Sequence, residues 1–148
     1  MNNLHNIYAF QSGISGKKGN RKLYLCKHNI DHSISDEHLN FFGFEMNNSI
    51  DISTITIQDL FEDFNIQKID FLKIDCEGCE YETLFNTRNE YFQKIKKIAM
   101  EIHYHPKYKF QHMIEFLRNI GYDVNPRYLD DQNHSKNITI STMIYAKR

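Results

Sequence analysis

The chain predicts an α/β fold, and three observations carry that expectation. From Ile50 onward, apolar patterns of strand length alternate with apolar patterns of helix length. Ile69-Asp70-Phe71-Leu72-Lys73-Ile74-Asp75 is a nearly continuous apolar run, which suits a parallel strand covered on both faces. The 148 residues, 41% hydrophobic and 25% charged, match the size and composition of one globular domain spanning residues 1–148. The sheet is expected to be mostly parallel with helices on both faces, closing in an antiparallel C-terminal strand pair.

The elements follow in order. Residues 1 to about 50 are polar, rich in Asn and His, and poorly periodic. Within them Ile7 to Phe10 and Lys22 to Cys26 read as short strands around the turn-rich Ser12 to Asn20. Thr56 stands as a helix N-cap with Asp59 in capping-box position, and Leu60, Phe61 and Phe64 supply the apolar side. After the strand ending at Asp75, a helix is expected from about Glu77 to Thr87, with Tyr81, Leu84 and Phe85 inward. Ile95 to His103 gives the next strand. Phe110, Met113, Ile114, Leu117 and Ile120 then fall at helical spacing, and Gly121 sits where a left-handed C-terminal cap belongs. Tyr122 to Tyr128 and Ile138 to Ala146 close the chain as strands around the polar loop Leu129 to Asn137.

Charge and composition remove several classes. Eighteen Lys and Arg against 19 Asp and Glu leave a net charge of -1, which gives no electrostatic case for a nucleic-acid or anionic-membrane partner. No apolar run approaches the ~20 residues needed to span a bilayer. Met1 to Phe10 has no basic segment leading into an apolar core, so no signal peptide is expected. Three cysteines, an odd count without an export signal, read as reduced thiols in a cytoplasmic setting. Cys76 and Cys79 are expected to pack as free thiols without metal, since a structural zinc site needs four ligands and one Cys-x-x-Cys pair supplies two. Gly13-Ile14-Ser15-Gly16-Lys17-Lys18 fails as a phosphate loop, because Lys18 stands where Ser or Thr should meet a metal. It reads as a hairpin turn.

The chemistry concentrates in Lys73-Ile74-Asp75-Cys76-Glu77-Gly78-Cys79-Glu80, where three carboxylates and a lysine crowd a strand-to-helix junction. Open α/β sheets bind ligands beyond the carboxyl ends of their strands. By the period of two, Lys73 and Asp75 share one side of their strand, as Glu101, His103 and His105 share one side of the next. If the strands are neighbours, Asp75, Glu101 and His103 meet over the sheet edge. Such a set supplies a general base with an orienting carboxylate, or a hard-cation site. The bland alternatives are that Asp75 only caps a helix and that Lys73 only snorkels, its stem buried and its ammonium wet. Tyr104, Pro106, Tyr108 and Phe110 follow as an aromatic stretch, which would serve either an acceptor pocket or surface packing.

Lys73-Ile74-Asp75-x-Glu77-Gly78-x-Glu80, with Leu84 beyond it, resembles the signature of the FkbM family of methyltransferases. Thr54 to Leu60 is similar to that family's Thr-Leu-Asp-rich helix start, Met100-Glu101-Ile102-His103 to its Glu-x-His strand end, and Phe116-Leu117 with Tyr122 to its last helix and Gly-Tyr turn. The resemblance is best over about residues 50–125. It implies a Rossmann-like class I methyltransferase sheet, S-adenosylmethionine as cofactor, and a hydroxyl of a sugar or natural product as the small-molecule or glycan acceptor; a divalent metal is compatible with the site but not predicted. Asp75, His103 and Glu101 are the implied catalytic residues; Lys73, Glu77 and Glu80 would bind or orient the acceptor. Ser12-Gly13-Ile14-Ser15 resembles the segment after the family's third strand, so the sheet is expected to lack its first two strands, and with them the Gly-rich cofactor loop. Gln11, Ser12 and Gly13 are then the residues placed to approach the cofactor. The open sheet edge implies self-association. The rival reading is a truncated, non-catalytic module that binds a partner chain or its own missing N-terminal half.

Overall fold

The computed structural model describes residues 5–27, 32–128 and 141–148. Among them, seven strands form two small mixed sheets. β1 (Gly13–Ile14), β2 (Gly19–Cys26) and β3 (Met46–Ile55) make a three-stranded sheet in the order β1-β3-β2, with α1 (Asp36–Phe42) between β2 and β3 in sequence. β4 (Leu72–Ile74), β5 (Lys97–His103), β6 (Asp123–Tyr128) and β7 (Ser141–Lys147) make the second sheet, in the order β4-β5-β7-β6. α2 (Ile57–Glu62), α3 (Glu80–Phe85), α4 (Asn89–Phe92) and α5 (Phe110–Asn119) supply the other elements of this part.

The α/β class holds, but the mostly parallel sheet does not. Only β1 with β3 and β4 with β5 run parallel among the described pairings; β2–β3, β5–β7 and β6–β7 are antiparallel. The reason is connection length. A parallel neighbour needs a crossover, and only the segment carrying α3 and α4 provides one between paired strands of the second sheet. The C-terminal pair β6–β7 is antiparallel as expected, and Pro126 is accommodated because β6 is an edge strand. The loop from Leu129 to Asn137 and the start of the strand expected at Ile138 lie outside the described residues.

Local chemistry explains where elements begin and stop. Thr56 caps α2 as expected: its hydroxyl accepts from Asp59 N, and the Asp59 carboxylate accepts from Thr56 N at 2.7 Å. α5 ends in a Schellman turn, Tyr122 N donating to Leu117 O at 3.0 Å and Gly121 holding φ 95°. Ile7 to Phe10 is not a strand. Ile7 and Tyr8 are exposed, and Phe10 instead packs on Phe64 with ring centroids 4.3 Å apart. α3 begins at Glu80, later than periodicity suggests, because Glu77 and Gly78 take positive φ and leave helical space.

The core lies on the second sheet. Ile74, Ile98, Met100 and Ile144 are buried together with Leu84 of α3 and Met113 and Leu117 of α5. The first sheet docks on this body through Gly16, whose N–H donates to Glu82 at 3.1 Å. A Cβ at position 16 would lie 2.4 Å from Glu82 O, so the close approach requires glycine. Arg21 adds a 2.7 Å contact to the same Glu82 carboxylate, which with the Gly16 N–H holds that carboxyl below its ordinary pKa although burial acts the other way.

Candidate active site

The site is built on the turn between β4 and α3. Glu77 adopts φ 50° and Gly78 φ 100°, so two successive residues sit in the left-handed region. At Gly78 a Cβ would come within 2.9 Å of His38 Cβ. The turn is clipped by a Cys76–Cys79 disulfide, with a Cα separation of 5.6 Å. This corrects the expectation of two free thiols. Counting cysteines and zinc ligands did not anticipate a turn tight enough to bring both side chains into bonding range. Cys26 is buried and takes no part in this disulfide.

Glu80, expected to touch the acceptor, is wholly buried and faces inward instead. Its Oε1 accepts from Cys76 N and Gly78 N, each at 3.3 Å, and bonds His103 Nδ1 at 2.8 Å. Its Oε2 has no hydrogen-bond partner among the described residues. Glu80 therefore positions the turn and the histidine and does not line a binding surface.

β4 and β5 are adjacent and parallel, with Lys73 opposite Ala99 and Ile74 opposite Met100. That register brings Asp75, Glu101 and His103 to one sheet edge, one ligand atom of each lying within 4.8 Å of the others. Lys73 Nζ holds Asp75 at 2.8 Å, an exposed pair that raises the lysine pKa. His103 Nε2 lies 3.3 Å from Glu77 and 3.8 Å from Glu101. Burial alone would depress the His103 pKa, but the Glu80 hydrogen bond and the charges of Glu80, Glu77 and Glu101 outweigh it and raise the value to about 9. His103 is thus cationic at neutral pH. Burial raises the Glu77 carboxyl, against the lowering effect of His103.

With Nδ1 fixed on Glu80, His103 presents Nε2 to the carboxylates, an arrangement in which Asp75, Glu101 and His103 could hold a divalent cation once Nε2 gives up its proton. An ion held there would do with its charge what Lys73 and His103 do without one. His105 departs from the set and turns to Tyr81 and Tyr108, at 5.3 and 4.8 Å between centroids. His38 was missed by the sequence reading. It is buried on α1, its ring 5.6 Å from that of His103 and its Nε2 3.7 Å from Glu77. The signal was present in Ser35 with Asp36 and Glu37, an N-cap followed by acidic first-turn residues.

Two cavities flank this centre. One, of about 340 Å³, is lined by Gln11, Ser12, Gly13, Leu23, Ile52 and Glu77 among others. The other, of about 470 Å³, has Tyr81, His103, Lys107, Tyr108 and Thr142 in its wall. Glu77 borders the first and His103 the second, and the two side chains are in contact at 3.3 Å. Residues expected at the cofactor therefore share a cavity with the signature turn.

A parallel strand pair presenting carboxylates and a histidine beyond its carboxyl ends, with cavities on either side, defines an α/β protein with a polar centre at the strand ends. The family profile described as "Methyltransferase FkbM domain" matches residues 2–124. The chain belongs to the FkbM methyltransferase family. No curated protein and no solved structure matches it. Among the described residues, no helix is long and apolar enough to cross a membrane.

Proposed function

We infer that this chain is an S-adenosylmethionine-dependent methyltransferase acting on a hydroxyl oxygen of a small molecule or glycan. The observation that carries the reading is the convergence of Asp75, Glu101 and His103 at adjacent parallel strand ends, in contact with a turn that borders a separate cavity.

The smaller cavity fits the cofactor in chemical character. Leu23 and Ile52 offer apolar walls, Gln11 and Ser12 polar edges, and Glu77 a carboxylate of the sign a sulfonium requires. Gly13 keeps this wall open: a Cβ there would lie 3.0 Å from Ile52 Cδ1. S-adenosylmethionine, when bound, supplies an electrophilic methyl group. The chain's own task is to hold an acceptor oxygen in line and to take its proton. Asp75, held by Lys73 and grouped with Glu101 and His103, is the group assigned to that proton. His103 is cationic and so acts as a donor and an electrostatic anchor, fixing Glu77 and Glu101 in place of serving as the base.

The test is acceptor-dependent formation of S-adenosylhomocysteine by the full chain. Asp75→Asn is expected to lower turnover by about 10²–10⁴-fold, the usual contribution of a positioned base. Unchanged turnover in that variant would remove Asp75 from the mechanism. The rival reading of a non-catalytic module predicts no cofactor turnover with any acceptor.

A further inference from the structure

We propose that the 470 Å³ cavity beside His103 receives the acceptor, and that this acceptor is a hydroxylated ring carrying a carboxylate or phosphate group. The proposal rests on the methyl-transfer reading for its purpose, but its evidence is separate. The described lining contains no Asp or Glu, whereas Lys107 and Lys109 both belong to it. Neither lysine forms an ion pair with a carboxylate among the described residues. Two histidines reinforce the same polarity. His105 Nδ1 accepts from Lys107 N at 3.1 Å and His112 Nδ1 from Lys109 N at 3.0 Å. A neutral imidazole that accepts at Nδ1 carries its proton at Nε2, so each ring is left with a donor. Four donors and, among the described residues, no acidic side chain describe a site for an anion. Glu77 and Glu101, which face His103 Nε2 at 3.3 and 3.8 Å, are not among the described lining residues.

The wall is also flat. Tyr108 stacks on Tyr81 with centroids 5.3 Å apart and an interplanar angle of 22°, and such faces take the apolar side of a ring. The independent sign of a ligand is Thr142. It is 1% exposed, it belongs to the lining, and its hydroxyl has no hydrogen-bond partner among the described residues. A buried, unpaired hydroxyl is unfavourable for folding alone, and a ligand hydroxyl would satisfy it.

The experiment is calorimetric titration of the full chain, without cofactor, by phenyl β-glucoside, its 6-carboxylate (phenyl β-glucuronide) and its 6-phosphate. One or both anionic probes should bind at least about tenfold more tightly than the neutral one, as a charge-assisted contact warrants. Which anion prevails identifies the source of the charge. The Lys107→Gln/Lys109→Gln double variant should lose that preference. Thr142→Val should raise the thermal midpoint while weakening binding, a pair of opposite effects that a purely structural threonine would not produce. Equal binding of neutral and anionic probes, no binding of any, or a preference that survives loss of both lysines overturns the proposal. Because no cofactor is present, failure of the methyl-transfer reading leaves these outcomes intact. Conversely, a working methyltransferase without anion preference overturns this proposal alone.

Discussion

In the second sheet β5 and β7 bury Ile98, Met100, Ile102 and Ile144 almost completely, whereas in the first sheet β2 and β3 carry mostly exposed or half-buried residues. The second sheet is held by apolar contact with α3 and α5. The first is held by the ladder between β2 and β3, by surface pairs such as Lys22–Asp51 at 2.9 Å, and by the docking of Gly16 and Arg21 on Glu82. The centre lies where the two meet: the turn after β4 belongs to the buried part, and Ser33 and His38 reach it from the polar part, Ser33 donating to Glu77 O. Energy in this molecule is therefore concentrated on one side of the site.

The sharpest way to break that contrast is to cut one charge pair on each side. Glu80→Ala removes the buried partner of His103 and should cost about 3–5 kcal/mol, read as a fall in the urea midpoint. Lys22→Ala removes an exposed partner of Asp51 and should cost about 1 kcal/mol or less. Comparable losses in the two variants would mean that the buried network does not hold the turn.

Stability should also follow the charge of His103. Its pKa is raised from 6.5 to about 9 in the folded chain, so the stabilisation is fully present below pH 6.5 and is lost as pH climbs through about 9. Denaturation curves across that window should show a decline that His103→Gln flattens. A wild-type profile already flat between those values would contradict the assignment of a cationic His103.

A smaller effect is expected from the disulfide. It closes a very short loop, and chain entropy gives roughly 2 kcal/mol for such a closure. Reduction by dithiothreitol should lower the midpoint by that order, and thiol titration of the denatured, unreduced chain should find Cys26 reactive while Cys76 and Cys79 are not. Three reactive thiols would instead restore the reading from cysteine count.

The same contrast explains what the sequence disclosed. Burial writes periodicity into a chain, so α5 and β5 were legible within a residue or two, and the Thr56 cap was read from chemistry alone. β3 went unseen because its residues are mostly exposed or half-buried, and α1 because its seven residues are too few to show a helical period. At the site, Asp75, Glu101 and His103 were legible because strand ends and the period of two place them without further knowledge. His38, Thr142 and the inward turn of Glu80 were not, since each depends on which distant element packs against it. The mostly parallel sheet failed for a related reason: the apolar run Ile69–Asp75 read as a strand covered on both faces, whereas β4 is an edge strand with Lys73 exposed and Phe71 59% exposed, and an apolar run does not fix strand direction.

The cofactor cavity is the part on which the functional reading most depends, and calorimetry of the full chain with S-adenosylmethionine addresses it directly. One saturable site is expected, weakened by Gly13→Leu, which presses on Ile52, and by Glu77→Gln, which removes the carboxylate facing the cavity. Absence of any saturable heat, or binding indifferent to both substitutions, would contradict a cofactor site between Gly13 and Glu77.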